Sequence, residues 1–175
     1  IPVTLGLFAL PELADLAINR RKITAHAPAD VSVASQWQGV LDVDLNGVFW
    51  CCKHGLEVMR GGGAIVNLGS ISALEGFYGQ ANYAAAKAGV MAMTRVLSRE
   101  CAGRGIRVNC IAPGVIETAM AATIPEKVRV EMLKHVPLGR MGRPEEIASV
   151  ALFLCSSLAS YVTGQVIQVN GGWRG

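Results

Sequence analysis

GAIVNLGSISALEGFYGQANYAAAKAGVMAMTRVLSRECAGRGIRVNCI, residues 63–111, carries the alternation that decides the fold. Its opening run, Ala64-Ile65-Val66-Asn67-Leu68, is short, nearly continuously apolar and preceded by glycines, the signature of a strand buried on both faces. Ala81 to about Cys101 is rich in Ala, Met and Leu and predicts a helix, ended by Gly103 and Gly105. Ile106 to Ile111 then reads as a second strand. A strand, a helix and a strand in succession imply parallel pairing through a right-handed crossover.

The same rhythm extends in both directions. Upstream, Val33 to about Met59 places Trp37, Val40, Leu41, Leu45 and Val48 at helical spacing, and Gly61-Gly62-Gly63 stops it. Downstream, Pro125 to His135 reads as a short polar helix with Pro125 as its opening residue. Pro144-Glu145-Glu146 opens another helix, with proline and acids in the first turn where the helix dipole favours them. Gln165 to Val169 is a last strand, closed by Asn170-Gly171-Gly172. The fold class is therefore α/β, a layered parallel sheet. Residues 32–175 are expected to form one domain, and residues 1–31 an irregular segment that fits the rhythm poorly.

Composition narrows the function. The chain has 175 residues, 51% hydrophobic and 17% charged, enough for a core without disulfides or metals and too apolar for a disordered protein. Sixteen basic against thirteen acidic residues give +3, with no basic run longer than Arg20-Arg21-Lys22, so a nucleic-acid partner is not expected. No stretch supplies the roughly 20 apolar residues of a membrane helix. The apolar start, Ile1 to Leu10, is interrupted by Pro2 and lacks a basic lead, which argues against a signal peptide. Five cysteines without a CxxC pair read as reduced thiols and predict a cytoplasmic protein. A start at Ile1 rather than Met predicts a processed or incomplete sequence.

In sheets of this kind ligands bind beyond the carboxyl ends of the strands. Those ends read Gly69-Ser70-Ile71-Ser72, Ala112-Pro113-Gly114 and Asn170-Gly171-Gly172. On the helix after the first, Tyr83 and Lys87 stand four apart on one face. A phenol titrates near pH 10 when unperturbed, too high for a proton shuttle at neutrality. An ammonium one turn away favours the phenolate and draws it toward the working range. A serine hydroxyl at the strand end can hold a substrate oxygen while Tyr83 moves its proton and a hydride moves at the carbon. Taken alone, the spacing fits equally well a helix-surface pair worth a few tenths of a kcal/mol.

The surroundings decide between those readings. Residues 63–120 and residues 139–172, GRMGRPEEIASVALFLCSSLASYVTGQVIQVNGG, resemble the central and closing stretches of the short-chain dehydrogenase/reductase family, with the flavour of its 3-oxoacyl-acyl-carrier-protein reductases and sugar-alcohol dehydrogenases. The resemblance runs from about Trp37 to Gly172. It implies a Rossmann-like doubly wound parallel sheet with residues 32–175 as the catalytic part of one domain, NAD or NADP as cofactor, and a small alcohol or ketone as substrate. Tyr83 matches the family's acid/base, and Lys87 the residue that tunes it and binds the nicotinamide ribose. Ser70, thirteen positions before the tyrosine, matches the serine that orients the substrate. Pro113, Gly114, Val115 and Ile116 resemble the loop that holds the nicotinamide carboxamide, and Thr118 a hydroxyl that contacts the cofactor. A homodimer or homotetramer is implied, with the helices at 81–102 and 144–157 as contact faces.

Three departures stand beside the resemblance. The family carries an Asn in a stretch like D-V-N-L-x-G, and here Leu41 to Phe49 reads LDVDLNGVF, so that position falls on Asp44 and not on Asn46. By resemblance this residue extends the proton path from the lysine through a bound water. An aspartate either keeps the helix kink and an altered relay, or adds a negative charge beside Lys87 that detunes the site. The glycine-rich turn after a first strand is missing: Gly61-Gly62-Gly63 and Gly103-x-Gly105 precede strands instead of following them. Finally, Ile18-Asn19-Arg20-Arg21 resembles the residues just after the family's N-N-A-G motif, but Ala14-Asp15-Leu16-Ala17 stands where that motif belongs. The sheet is thus expected to be truncated on its N-terminal side. A non-catalytic relative that folds and oligomerises without binding dinucleotide is the alternative function.

Other features carry less. Cys51-Cys52-Lys53-His54 offers adjacent thiols that one tetrahedral ion cannot easily take from a helix, so no metal is expected and both thiols are read as core-facing. Gly69 to Ala73 is not a G-x-S-x-G elbow and has no histidine to serve it. His26 and His135 read as surface or loop residues, and Phe49, Trp50, Met91 and Met93 as core or subunit-contact residues.

Overall fold

The computed structural model describes residues 33–119 and 121–173. The expected irregular segment 1–31, with the Arg20-Arg21-Lys22 run and His26, lies outside the described residues. Three parallel strands, β1 (Gly63–Leu68), β2 (Ile106–Pro113) and β3 (Val166–Val169), form a sheet in the order β1-β2-β3. Gly63 pairs with Ile106 and Leu68 with Ile111, while Cys110 to Pro113 pair with Val166 to Val169.

A long helical element precedes the sheet as α1 (Val33–Leu41), a π-helical segment (Asp42–Gly47) and α2 (Val48–Val58). The first crossover contains a single turn, α3 (Ser72–Glu75), and the long α4 (Ala81–Cys101). The second contains α5 (Glu126–Leu133) and α6 (Pro144–Cys155). The α4 bounds agree with the sequence reading because strong punctuation sets them. Gly105 takes the left-handed conformation, φ 67°, and its carbonyl accepts from Gly63 N at 3.2 Å, so one turn ends the helix and registers β1 against β2.

Strand β2 is the spine of the core. Its even-numbered residues Ile106, Val108, Cys110 and Ala112 pack toward α4, α2 and the π segment, with Met59, Leu97, Val90, Met91 and Leu45. Ile111, on the opposite face, packs with Val66, Ile147, Ala151 and Leu154 of β1 and α6. This two-sided burial is what the unbroken apolar run demands. The polar exceptions are satisfied. Buried Asn109 donates to Val162 O at 2.8 Å and accepts from Gln165 N at 3.1 Å, and Arg107 donates to the carbonyls of Leu154 and Ser156 that end α6.

Two packing details set the position of the π segment. Gly89 on α4 lies against it so closely that a Cβ there would come within 2.8 Å of Leu45 Cδ1. Asp42 Oδ1 accepts from Gln38 Nε2 at 2.8 Å and from Asn46 Nδ2 at 2.9 Å, closing the outer side of the widened turn. One sequence expectation is corrected: Cys52 is buried but Cys51 is exposed. Consecutive helical residues point about 100° apart, so two adjacent thiols cannot both face one core. Phe49 and Trp50 are also substantially exposed, whereas Met91 is buried. Among the described residues no helix is long and apolar enough to cross a membrane.

Candidate active site

The carboxyl end of β1 delivers Ser70. Gly69 N donates to Ile111 O at 2.7 Å and Ile71 N to Pro113 O at 3.1 Å, so the loop carrying Ser70 continues the pairing with β2 past the strand end. The hydroxyl is buried and fixed: Ser70 Oγ accepts from Ser72 N and donates to Ser72 Oγ, both at 3.1 Å. Ser72, which sequence reasoning passed over, thus orients the serine that it singled out. Its signal was a hydroxyl two residues on, the spacing of a side-chain turn. Helix α3, which Ser72 opens, packs against α4.

Helix α4 delivers Tyr83 and Lys87. Asn82 anchors its first turn, accepting from Tyr83 N at 2.8 Å and donating to Gln36 O of α1 at 3.3 Å. Tyr83 is half-buried, and Lys87 is buried with its Nζ 5.5 Å from the centre of the Tyr83 ring. The phenol and the ammonium therefore occupy one face, at cation–π range. Hydroxyl contact between Ser70 and Tyr83 is not part of this arrangement, since Ser70 bonds to Ser72.

The third element is the π segment. Its extra residue per turn displaces the helix locally, a device that recurs at functional positions. Asp44 Oδ1 lies 2.9 Å from Lys87 Nζ, with the two side chains 22% and 9% exposed. Asn46 is turned to Asp42 instead. A π turn stands at this place, and the residue it brings to Lys87 is the carboxylate. Beneath, the Cys110 thiol is pushed up to about 11 chiefly by burial, with the Lys87 charge acting in the opposite sense. It is a neutral wall of the site at physiological pH.

The loop after β2 closes the edge. Gly114 N donates to Val169 O at 3.0 Å, and a Cβ at Gly114 would sit 2.7 Å from Asn170 Cα, so only glycine lets this loop lie against the turn after β3. Gly142 N donates to Val115 O at 2.9 Å and Glu117 N to Gly142 O at 2.8 Å, holding Ile116 in a short parallel bridge. Thr118 Oγ1 accepts from Ala121 N at 3.2 Å, which leaves its hydroxyl proton for another partner. Pro113, Gly114, Ile116 and Thr118 thus form one ordered edge loop. A cleft of about 250 Å³ among Phe49, Cys52, Leu56, Leu97 and Arg104 contains none of these groups.

Comparisons with known proteins agree on the kind of molecule. A family model described as enoyl-(acyl carrier protein) reductase matches residues 14–174. The 3-oxoacyl-[acyl-carrier-protein] reductase FabG of Thermotoga maritima is 47% identical over 160 residues, which cover 90% of this chain and 65% of that protein. The acetoacetyl-CoA reductase of Shinella zoogloeoides is 42% identical over 161 residues, covering 90% of this chain and 67% of its own. The chain thus spans about two thirds of the length of these relatives. Among solved structures, a short-chain dehydrogenase/reductase (glucose/ribitol dehydrogenase) from Brucella melitensis superposes with a TM-score of 0.76 at 45% identity, covering 82% of this chain and 58% of that one. A structure from Agrobacterium tumefaciens with bound NADP gives 0.78 at 35% identity, covering 85% and 62%.

Proposed function

The chain belongs to the short-chain dehydrogenase/reductase family, and from that premise we propose that it serves an NAD(P)-dependent oxidoreductase interconverting a ketone and a secondary alcohol. The observation that carries this reading is the buried Lys87 ammonium 5.5 Å from the Tyr83 ring, at the same sheet edge as the Ser70 hydroxyl. Tyr83 gives a proton to the carbonyl oxygen during reduction and removes it during oxidation. Lys87 stabilises the phenolate form, and Ser70 donates a hydrogen bond to the reacting oxygen once its hydroxyl proton turns from Ser72 Oγ to the bound substrate. A 3-oxoacyl thioester is the first substrate class to try, since relatives at 47% and 42% identity are named for it; a sugar or polyol is the second.

NAD or NADP supplies the hydride when bound. The residues present suit its nicotinamide end. Tyr83 and Lys87 offer a hydroxyl and an ammonium for a ribose, and Pro113, Gly114, Ile116 and Thr118 offer a backbone-rich edge with a free hydroxyl proton for a carboxamide. A strand–glycine turn–helix unit for the pyrophosphate is not found among the described residues. The Asp44 carboxylate 2.9 Å from Lys87, a negative charge set beside the ammonium, favours a second reading: a chain that folds and self-associates without binding dinucleotide. Titrating the 175-residue chain with NADH and NADPH by fluorescence or calorimetry separates them. Micromolar binding is expected for the oxidoreductase, and folded protein that binds neither overturns it. The five unpaired thiols suit a reducing compartment, the cytoplasm.

A further inference from the structure

Lys87 is unusual in being a lysine whose side chain is only 9% exposed. Burial penalises an ammonium and favours its neutral form, by several pH units for a fully enclosed lysine. A carboxylate in contact offsets that penalty, and removing one partner of a buried pair leaves an uncompensated charge. The groups around Lys87 can be named element by element. On α4 itself stands Tyr83, with Arg95 further along. On β2, Cys110 is neutral and Arg107 is spent on the carbonyls at the end of α6. Glu75 of α3 and Lys53, His54 and Glu57 of α2 are exposed, and Asp42 is committed to Gln38 and Asn46. Among the described residues, the carboxylate in contact with Lys87 is that of Asp44, at 2.9 Å.

We propose that Asp44 is a positioning residue that keeps Lys87 charged and fixed over the ring of Tyr83, and that it does so as a carboxylate, in a way an amide at the same place does not. The charge on Lys87 is a property of this pair alone. Its consequence for catalysis rests on the proton transfer proposed for Tyr83. The ion pair holds the Lys87 ammonium where it faces the Tyr83 ring.

The test observes the lysine directly, in the whole chain, and needs neither cofactor nor substrate. Lysine labelled at Cε and Nζ is observed by NMR from pH 6 to 11, with Lys87 assigned through the signal lost in Lys87→Met. In Asp44→Asn the Lys87 ammonium is expected to give up its proton at least one pH unit lower than in the parent, a tenfold weaker hold. Asp44→Glu is expected to restore it, and Asp42→Asn, which disturbs the same π segment without touching Lys87, to leave it unchanged. A Lys87 that titrates alike in Asp44→Asn and the parent overturns the proposal. So does Asp42→Asn shifting it as far, which would make the effect one of loosened structure. Should Asp44→Asn fail to fold, the double variant Asp44→Asn/Lys87→Met is expected to fold, because the orphaned charge is gone. A double variant that stays unfolded also overturns the proposal. Loss of dinucleotide binding with an intact lysine shift would instead strike only the enzymatic reading.

Discussion

Tyr83 is half-buried and faces an ammonium across 5.5 Å, whereas Tyr78 and Tyr161 are fully exposed. Only the first has the surroundings of a proton donor. Tyr83→Phe removes one hydroxyl and keeps the ring over Lys87, so the thermal midpoint should hold while turnover of a 3-oxoacyl thioester with NADPH falls by about 10²–10⁴-fold. Tyr78→Phe should leave the rate unchanged, and comparable rates in the two variants would remove Tyr83 from its role. At this scale much of the site was legible. Tyr83, Lys87 and Ser70 are picked out by the family resemblance rather than by spacing alone, the first two on one face of α4 and the third just past β1. What could not be read was the use each side chain makes of its atoms. Ser70 spends its hydroxyl on Ser72, and the outcome of Asp in place of Asn at residue 44 depends on a 2.9 Å contact across two elements.

Among the elements, α6 shows how a helix start fixes a loop. Glu146 accepts from Arg143 N at 2.7 Å and takes both arms of Arg140, at 2.8 and 2.7 Å, so one carboxylate caps the helix and ties down the Gly139–Gly142 turn that bridges to Ile116. The Arg140 hydrogen bonds hold the Glu146 carboxyl down at about 2, against 4.5 when free. A depressed carboxyl contributes stability that is fully present above its unfolded value and disappears as pH falls through its folded value. Glu146→Gln should therefore remove a loss of stability between about pH 4.5 and 2, read as a smaller fall in the urea midpoint than the parent suffers over that window. Equal falls in parent and variant would refute it. The helix ends at Gly105 and Pro144 were legible because glycine and proline dictate local backbone geometry. The π segment was not: Leu41, Leu45 and Val48 satisfy an α-helical spacing equally well, and the extra residue in the turn is decided by packing on α4, a tertiary fact.

Over the whole molecule, apolar side chains remain on the outer helices. Trp50 is 50% exposed, Leu152 67% and Leu158 81%, on or beside α2 and α6. Isolated apolar residues are ordinary on surfaces, but large ones on two long helices suit self-association. Sedimentation velocity at micromolar concentration should give a dimer or tetramer, and a monomer throughout would count against oligomerisation. The α/β class and the order of elements after residue 32 followed from alternating periodicity. Side-by-side placement of three strand ends, which gathers Ser70, Gly114 and Asn170 at one edge, results from parallel crossovers and needed no knowledge of chemistry.

Position 89 has a reach beyond its size. The hydrogen that serves as its side chain acts as a spacer gauge between two helical rods: with no carbon to hold them apart, the turn bearing residue 44 settles low enough for its acid to meet the amine of residue 87. Any bulkier tenant at 89 would lever that turn outward. The electrical surroundings of the amine at 87 would then be rewritten by a residue that bears no charge and meets no reactant.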